Sequence, residues 1–307
     1  MGALPGRFPI APGPALAAGR IGRRAIPQEV RRRRFYQALS SHALAITFAV
    51  IFLTPLVFII LTALMTQQQA LSTNLWPTPF QWGNFTKVFT FVPLWRYTVN
   101  TVTYAVLATI GTVLSCIPVA YALARMQWRG RKLAFLLVIS TLMLPSQVTI
   151  VPLYAFFANT LHWVGSLKPL IVPAFFGDAF TIFLLRQFFL TVPEELSDAA
   201  RVDGASEFQI MTKVVVPLAK PAILAVALFQ FLYCWNDFFG PLLYTGNNPK
   251  IWTLAVGLSE FTSTLHRSVL WNLQMAASLI FTIPVIVLFF FTQRYFVEGV
   301  TLTGVKG

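Results

Sequence analysis

The sequence predicts an all-α polytopic membrane protein with six transmembrane helices, and three observations carry that prediction. Hydrophobic residues make up 56% of the 307 residues and charged residues only 11%, with a mean hydropathy of +0.69. Apolar blocks recur at 42–66, 99–123, 133–157, 169–190, 221–244 and 275–292; each approaches or exceeds the roughly 20 residues that cross a bilayer core as a helix. The basic residues are also asymmetric. With both ends on one side of six spans, 18 of the 23 lysines and arginines fall on that side, which makes it the cytoplasmic one.

Before the first block lies a basic, largely disordered extension over 1–41, rich in Pro, Gly, Ala and Arg near its start. Arg20, Arg23, Arg24 and Arg31 to Arg34 anchor and orient the first span. The net charge of +13 is thereby accounted for without nucleic acid, which would require a basic face on a soluble fold. The block at 42–66 is too long for a cleaved signal segment and is expected to span.

The polar and aromatic stretch that follows, with Trp76, Trp82, Phe85, Phe89 and Trp95, suits an outer loop lying in the membrane interface. The second span ends at Arg125, and Arg125, Arg129, Arg131 and Lys132 mark a short cytoplasmic loop before the third. Prolines 55, 118, 145, 152, 173 and 284 lie in or near spans, where neighbouring helices can compensate the lost backbone bonds.

Between the fourth and fifth spans, residues 191–217 form the one long polar passage between two apolar blocks. Glu194, Glu195, Asp198, Asp203 and Glu207 place half of the ten carboxylates there. Thr191 with Glu194 and Ser206 with Gln209 have capping-box spacing, so two short helices are expected, from about 193 to 202 and from about 206 to 215. Gly204 supplies the turn between them and Pro217 a stop or a new start. Ala199, Ala200, Gly204 and Ala205 leave room for another protein to approach, and Phe208, Met211 and Val215 recur on one helical face as a surface for a socket on that partner.

Enzymatic chemistry is poorly represented. There is no G-x-x-x-x-G-K-[ST] loop for ATP, the histidines at 42, 162 and 266 have no metal-ligand spacing, and Cys116 and Cys234 lie in apolar blocks. No catalytic or metal site is predicted. Asp178 and Asp237 are the carboxylates expected at membrane depth; each costs about 2.5–3.5 kcal/mol near a helix centre, so each should face a wet cavity or a partner. Asn236 beside Trp235 offers a polar contact and a stacking face for a polyhydroxyl ligand, or a hydrogen bond in helix packing.

The run Asp198-Ala199-Ala200, then Asp203-Gly204-Ala205, then an apolar stretch closing at Pro217 resembles the EAA loop of the membrane subunits of binding-protein-dependent ABC importers. The runs LPSQVTIVPLY at 144–154, WND at 235–237, TLAVGL at 253–258 and the ending QRYFVEGVTLTGVKG extend the resemblance over most of 42–307. Together they resemble the carbohydrate-uptake branch, and within it the smaller of the two maltose-type permeases. Asp198 stands where that family usually has Glu, and Val214-Val215-Val216-Pro217 where Ile-x-Leu-Pro is common.

The resemblance implies a non-catalytic permease subunit in a bacterial inner membrane, with both termini cytoplasmic. Its partners would be a second, homologous permease, two ATP-binding subunits that carry ATP and Mg, and an extracytoplasmic binding protein. The cargo would be a sugar or related polyol. Asp198, Ala199, Ala200, Asp203, Gly204, Ala205, Phe208 and Met211 would couple to the ATPase, with about 205–213 as the coupling helix. The outer loop at 246–252, with Gly246, Asn247, Asn248 and Pro249, would reach into the binding protein's ligand site, and the 305–307 tail would touch the ATPase pair. Importers of glycerol-phosphate esters and amino sugars share the pattern, and Asp178 with Asp237 would equally serve an ion-driven secondary carrier.

Overall fold

The computed structural model describes residues 28–262 and 269–304, and among these every regular element is helical. By compactness the chain divides into residues Met1–Pro55 and Leu56–Gly307, and everything functional below lies in the second unit. Four helical stretches are long and apolar enough to cross a membrane, Leu39–Ala63, Leu94–Ala124, Lys168–Thr191 and Trp271–Gln293; a fifth candidate is the pair Glu207–Leu218 and Lys220–Asn236, bent by 80°.

The first helix, α1, runs Gln28–Ala63, so residues 28–41, which composition assigns to the extension, are helical. Helix α2, Asn84–Phe91, returns toward the end of α1, and buried Asn84 ties the two together. Its amide donates to the carbonyls of Ala63 and Met65, both at 2.8 Å, satisfying carbonyls that a helix end leaves without partners.

Helix α3, Leu94–Ala124, is the centre of the second unit. Its buried positions include Thr101, Ala105, Ala108, Thr112, Cys116, Ala120 and Ala124, a face of small residues at three- and four-residue steps. Inside a bilayer, where lipid is as apolar as leucine, close van der Waals approach holds helices together and small residues permit it. At Gly111 the approach is extreme, since a Cβ there would stand 2.6 Å from the Phe175 ring.

The block at 133–157, expected as one span, is broken. Helix α4, Arg131–Thr141, and helix α5, Ser146–Ala155, are separated at Pro145, which has an extended backbone (φ −61°, ψ 129°) and stands at the N-cap of α5. Proline lacks the donor that would continue α4 and pushes the residue before it out of helical space. The block at 169–190 is also composite: a turn at Lys168–Ile171, a 3-10 turn at Val172–Phe176, then Gly177 at φ +99° and helix α6, Ala179–Thr191.

After α6 come α7, Glu194–Val202, and α8, Glu207–Ile210, the latter continuing through a π turn at Met211–Val215 and a last turn at Val216–Leu218. Pro217 does not stop this helix; it sits within the first two positions of that last turn, and the break comes at Ala219. Helix α9, Lys220–Asn236, and helix α10, Phe239–Thr245, divide the block at 221–244 at Asp237. Helix α11, Leu254–Ser259, and helix α12, Trp271–Gly304, complete the described chain. Helix α3 packs against α6 and α9, and α9 against α12.

Candidate functional site

The loop between α6 and α9 is built on the end of α3. Arg125, buried and at the C-cap of α3, donates from Nε to the Phe189 carbonyl at 3.0 Å and from a terminal nitrogen to the Val192 carbonyl. The guanidinium therefore fixes where the chain leaves α6. Thr191 does not form the capping box expected with Glu194: it is the last residue of α6, and its hydroxyl donates to the Phe188 carbonyl at 2.7 Å. Pro193 takes the N-cap of α7 instead. Glu194 and Glu195 in the first turn and Arg201 in the last complement the helix dipole.

Gly204 makes the turn into α8 with φ +79°, and a Cβ there would meet nothing within 4 Å. Glycine is required by the left-handed backbone rather than by crowding. Ser206 and Gln209 form the full capping box, each side chain bonded to the other's backbone N–H.

Four side chains brace the turn from both sides. The Tyr121 hydroxyl of α3 donates to Glu207 Oε2 at 2.6 Å, Arg201 Nε donates to Glu207 Oε1 at 2.9 Å, and another Arg201 nitrogen donates to Asp198 Oδ1 at 2.7 Å. The Arg201 guanidinium, followed by the Tyr121 hydroxyl, holds the Glu207 carboxyl below the usual carboxylate range. Asp198, the position where the resemblance expects Glu, spends its charge inside this chain on Arg201.

The apolar residues sort differently from the one-face expectation. Met211 and Val215 are buried and pack with Ile210, Leu185, Phe189 and Tyr121 in this chain's own core, with Ala200 and Ala205 against its edge. Both point inward, because the π turn packs against α3 and α6. Phe208, 70% exposed, is left outside together with Val202, 88% exposed. These two flank the Gly204 turn, with Asp198, Ala199 and Asp203 also exposed.

A second feature is a cavity of ≈ 980 Å³ bounded by residues of α3, α5, α6, α9 and α10. Both aspartates singled out in the sequence line it. Asp178 is the N-cap of α6 and accepts from the Thr181 N–H at 2.7 Å. Asp237 accepts from the Gly240 N–H at 3.0 Å and from the Tyr104 hydroxyl at 3.0 Å. Its fold over Gly240 leaves no room for a side chain, since a Cβ there would lie 2.6 Å from Asp237 Oδ2. Asn236 is exposed and its amide donates to the Leu232 carbonyl at 2.8 Å. Trp235 offers no stacking face, because it is buried between Phe231 and Phe281 at ring-centroid distances of 5.6 and 5.4 Å. Tyr233 and Gln230 of the same helix line the cavity in its place.

At the other end of α3, Asn100 donates to the carbonyls of Lys250 and Trp252 at 3.0 and 2.9 Å, and the Trp252 indole donates to the Gly246 carbonyl at 3.0 Å. The loop 246–252 is thus pinned at its base while Gly246, Asn247 and Pro249 stay exposed and Asn248 is half-buried. The tail at 305–307 lies outside the described residues, as does His266.

Tyr121 and Arg201 carry no signal in the sequence, Arg125 reads only as flanking charge and Glu207 only as one of five carboxylates in the polar passage. Their partners lie 86 positions apart for Tyr121 and Glu207 and 64 for Arg125 and Phe189, and local spacing carries no such pairing.

Comparison with known proteins follows the same lines. The family described as binding-protein-dependent transport system inner membrane component matches residues 116–302. The osmoprotective compounds uptake permease protein GgtD of Synechocystis sp. is 34% identical over 90% of this chain and 95% of its own length. The arabinooligosaccharides transport system permease protein AraQ of Halalkalibacterium halodurans is 34% identical over 75% of this chain and 81% of its own. Among solved structures, a chain of a bacterial ABC transporter involved in the import of the acidic polysaccharide alginate superposes with a TM-score of 0.72 at 25% identity, covering 87% of this chain and 98% of that one.

Proposed function

The chain belongs to the inner membrane components of binding-protein-dependent transport systems, and from that membership we propose that it is a permease subunit for a sugar or related polyol, coupled to ATP hydrolysis through its 191–217 loop. In this reading the chain has six spans, with the broken segments at 131–160 and 220–245 counted as one each, and both termini are cytoplasmic. Its partners are a second, homologous permease, two ATP-binding subunits that hold ATP and Mg, and an extracytoplasmic binding protein met by the 246–252 loop.

The observation that carries the coupling role is the Gly204 turn. Two exposed apolar side chains, Val202 and Phe208, flank it, and the Tyr121–Glu207–Arg201–Asp198 chain ties it to the central helix α3. A partner seated on this turn pushes α3 directly, because the bracing bonds transmit displacement without first being rebuilt. The break and 80° bend at Ala219 give the loop an arm of its own, so its displacement turns α9 rather than bending it.

Saccharide cargo rests on what the relatives carry. An ion-driven carrier is less well supported, since the family is one of binding-protein-dependent transport and both cavity aspartates already accept backbone N–H bonds. Replacing Gly204 by tryptophan tests the coupling role in the reconstituted complex. Membrane insertion and assembly should persist while uptake per ATP hydrolysed collapses; coupled uptake at the wild-type ratio would remove the loop from the mechanism.

A further inference from the structure

The cavity of ≈ 980 Å³ lies at the large end of the roughly 300–1,000 Å³ that ligand sites occupy. Its wall combines aromatic rings, among them Tyr104, Tyr233 and Tyr244, with the amides Gln147 and Gln230 and the carboxylates Asp178 and Asp237. None of the described residues that line it is lysine, arginine or histidine. The positive end of α6 also opens toward it, but the Asp178 carboxylate already occupies the Thr181 N–H there, so the feature that ordinarily attracts an anion is neutralised.

Both carboxylates retain acceptor capacity beyond their capping bonds, since each carries about four lone-pair sites. Gln230 has its amide nitrogen on Cys234 Sγ at 3.4 Å, which leaves its carbonyl oxygen to accept. Tyr233, 67% exposed, lines the same cavity as Asp178 and Asp237. Acceptors ranged around aromatic faces, with no cation, complement a ligand that donates many hydroxyl hydrogens and bears no negative charge. A phosphate ester or uronate here would meet two carboxylates with no lysine, arginine or histidine among the described lining residues to pair with it.

We propose that this cavity takes neutral, hydroxyl-rich saccharides, with Tyr233 as a stacking face and Gln230, Asp178 and Asp237 as hydroxyl acceptors, and rejects anionic esters and uronates. The assignment rests on the importer reading and names its substrate class.

The test uses the assembled complex in nanodiscs without its binding protein, so that the binding protein's selectivity does not enter. Saturation-transfer difference NMR is recorded with trehalose as the neutral probe and with glycerol 3-phosphate and digalacturonate as anions. Trehalose signals are expected, reduced about fivefold in Tyr233→Ala and in Gln230→Ala, the scale of one lost stacking or hydrogen-bonding contact; the anions should give no Tyr233-dependent signal. Anion signals that fall in Tyr233→Ala, or trehalose signals indifferent to both substitutions, overturn the assignment. The importer reading is judged separately by stimulation of ATP hydrolysis when the binding protein is added to the wild-type complex, so either can fail alone.

Discussion

The Tyr121 hydroxyl donates to Glu207 at 2.6 Å across 86 positions of sequence, joining the end of the central helix to the first residue of the short helix that leaves the Gly204 turn. Tyr121 itself is buried while Glu207 is half-buried, so the bond ties a surface element to the core.

Tyr121→Phe removes that bond and little else. A hydrogen bond to a charged group is worth about 1.5–3 kcal/mol when buried, and about half of that at this partly exposed site. The substituted complex should keep its basal ATP hydrolysis and lose several-fold in uptake per ATP, read by parallel uptake and phosphate release in proteoliposomes. A double-mutant cycle with Glu207→Gln should give a coupling of about 0.5–1 kcal/mol in thermal unfolding.

Acid should loosen the same joint. Arg201 and Tyr121 depress the folded-state pKa of Glu207, so the carboxylate contributes stability above its unfolded value, about 4.3, and that contribution disappears as pH falls from there through the lower folded value. Thermal midpoints of the wild type should therefore drop more steeply below about pH 4.3 than those of Glu207→Gln, with parallel curves above it. Parallel curves on the acid side as well would show that the carboxylate is not held as described.

Gly204 separates backbone from contact. Its φ of +79° makes a β-carbon cost about 1–2 kcal/mol although the space is open, whereas Asn tolerates this conformation better. Gly204→Ala should destabilise the loop in limited proteolysis and Gly204→Asn should do so less. If both retain most coupled uptake and Gly204→Trp does not, the partner needs the open space; equal losses in all three would assign the effect to strain.

Gly240→Ala sets a methyl 2.6 Å from Asp237 Oδ2 and 3.1 Å from Leu170 Cδ2. Overpacking of this kind costs about 1–3 kcal/mol. Lower thermal stability is expected, and Tyr104→Phe, which removes the side-chain donor to Asp237, should combine with it less than additively. Strict additivity would mean that the two groups do not share the carboxylate.

The loop's local features were legible in the residues. The glycine turn at 204 and the Ser206–Gln209 capping box follow from backbone freedom and capping chemistry, both of which act over three or four residues, whereas the helix at 194–202 forms without the Thr191 cap expected for it. Apolar length placed blocks close to the helices at Leu94–Ala124 and Trp271–Gly304. Where proline or a capping aspartate intervened, at Pro145 and Asp237, hydropathy saw a continuous block because the side chains remain apolar while the backbone turns.

Sequence by itself determined a helical membrane chain with one wet, well-capped loop, because hydropathy, charge asymmetry and capping are properties of short stretches. Only the tertiary structure decided which of the loop's apolar residues face inward, that Trp235 is core rather than a ligand platform, and that Asp178 and Asp237 share one cavity. Those outcomes depend on packing between helices far apart in the chain. Met211 and Phe208 are both apolar and three positions apart, and only the presence of α3 and α6 against one of them separates core from exposed surface.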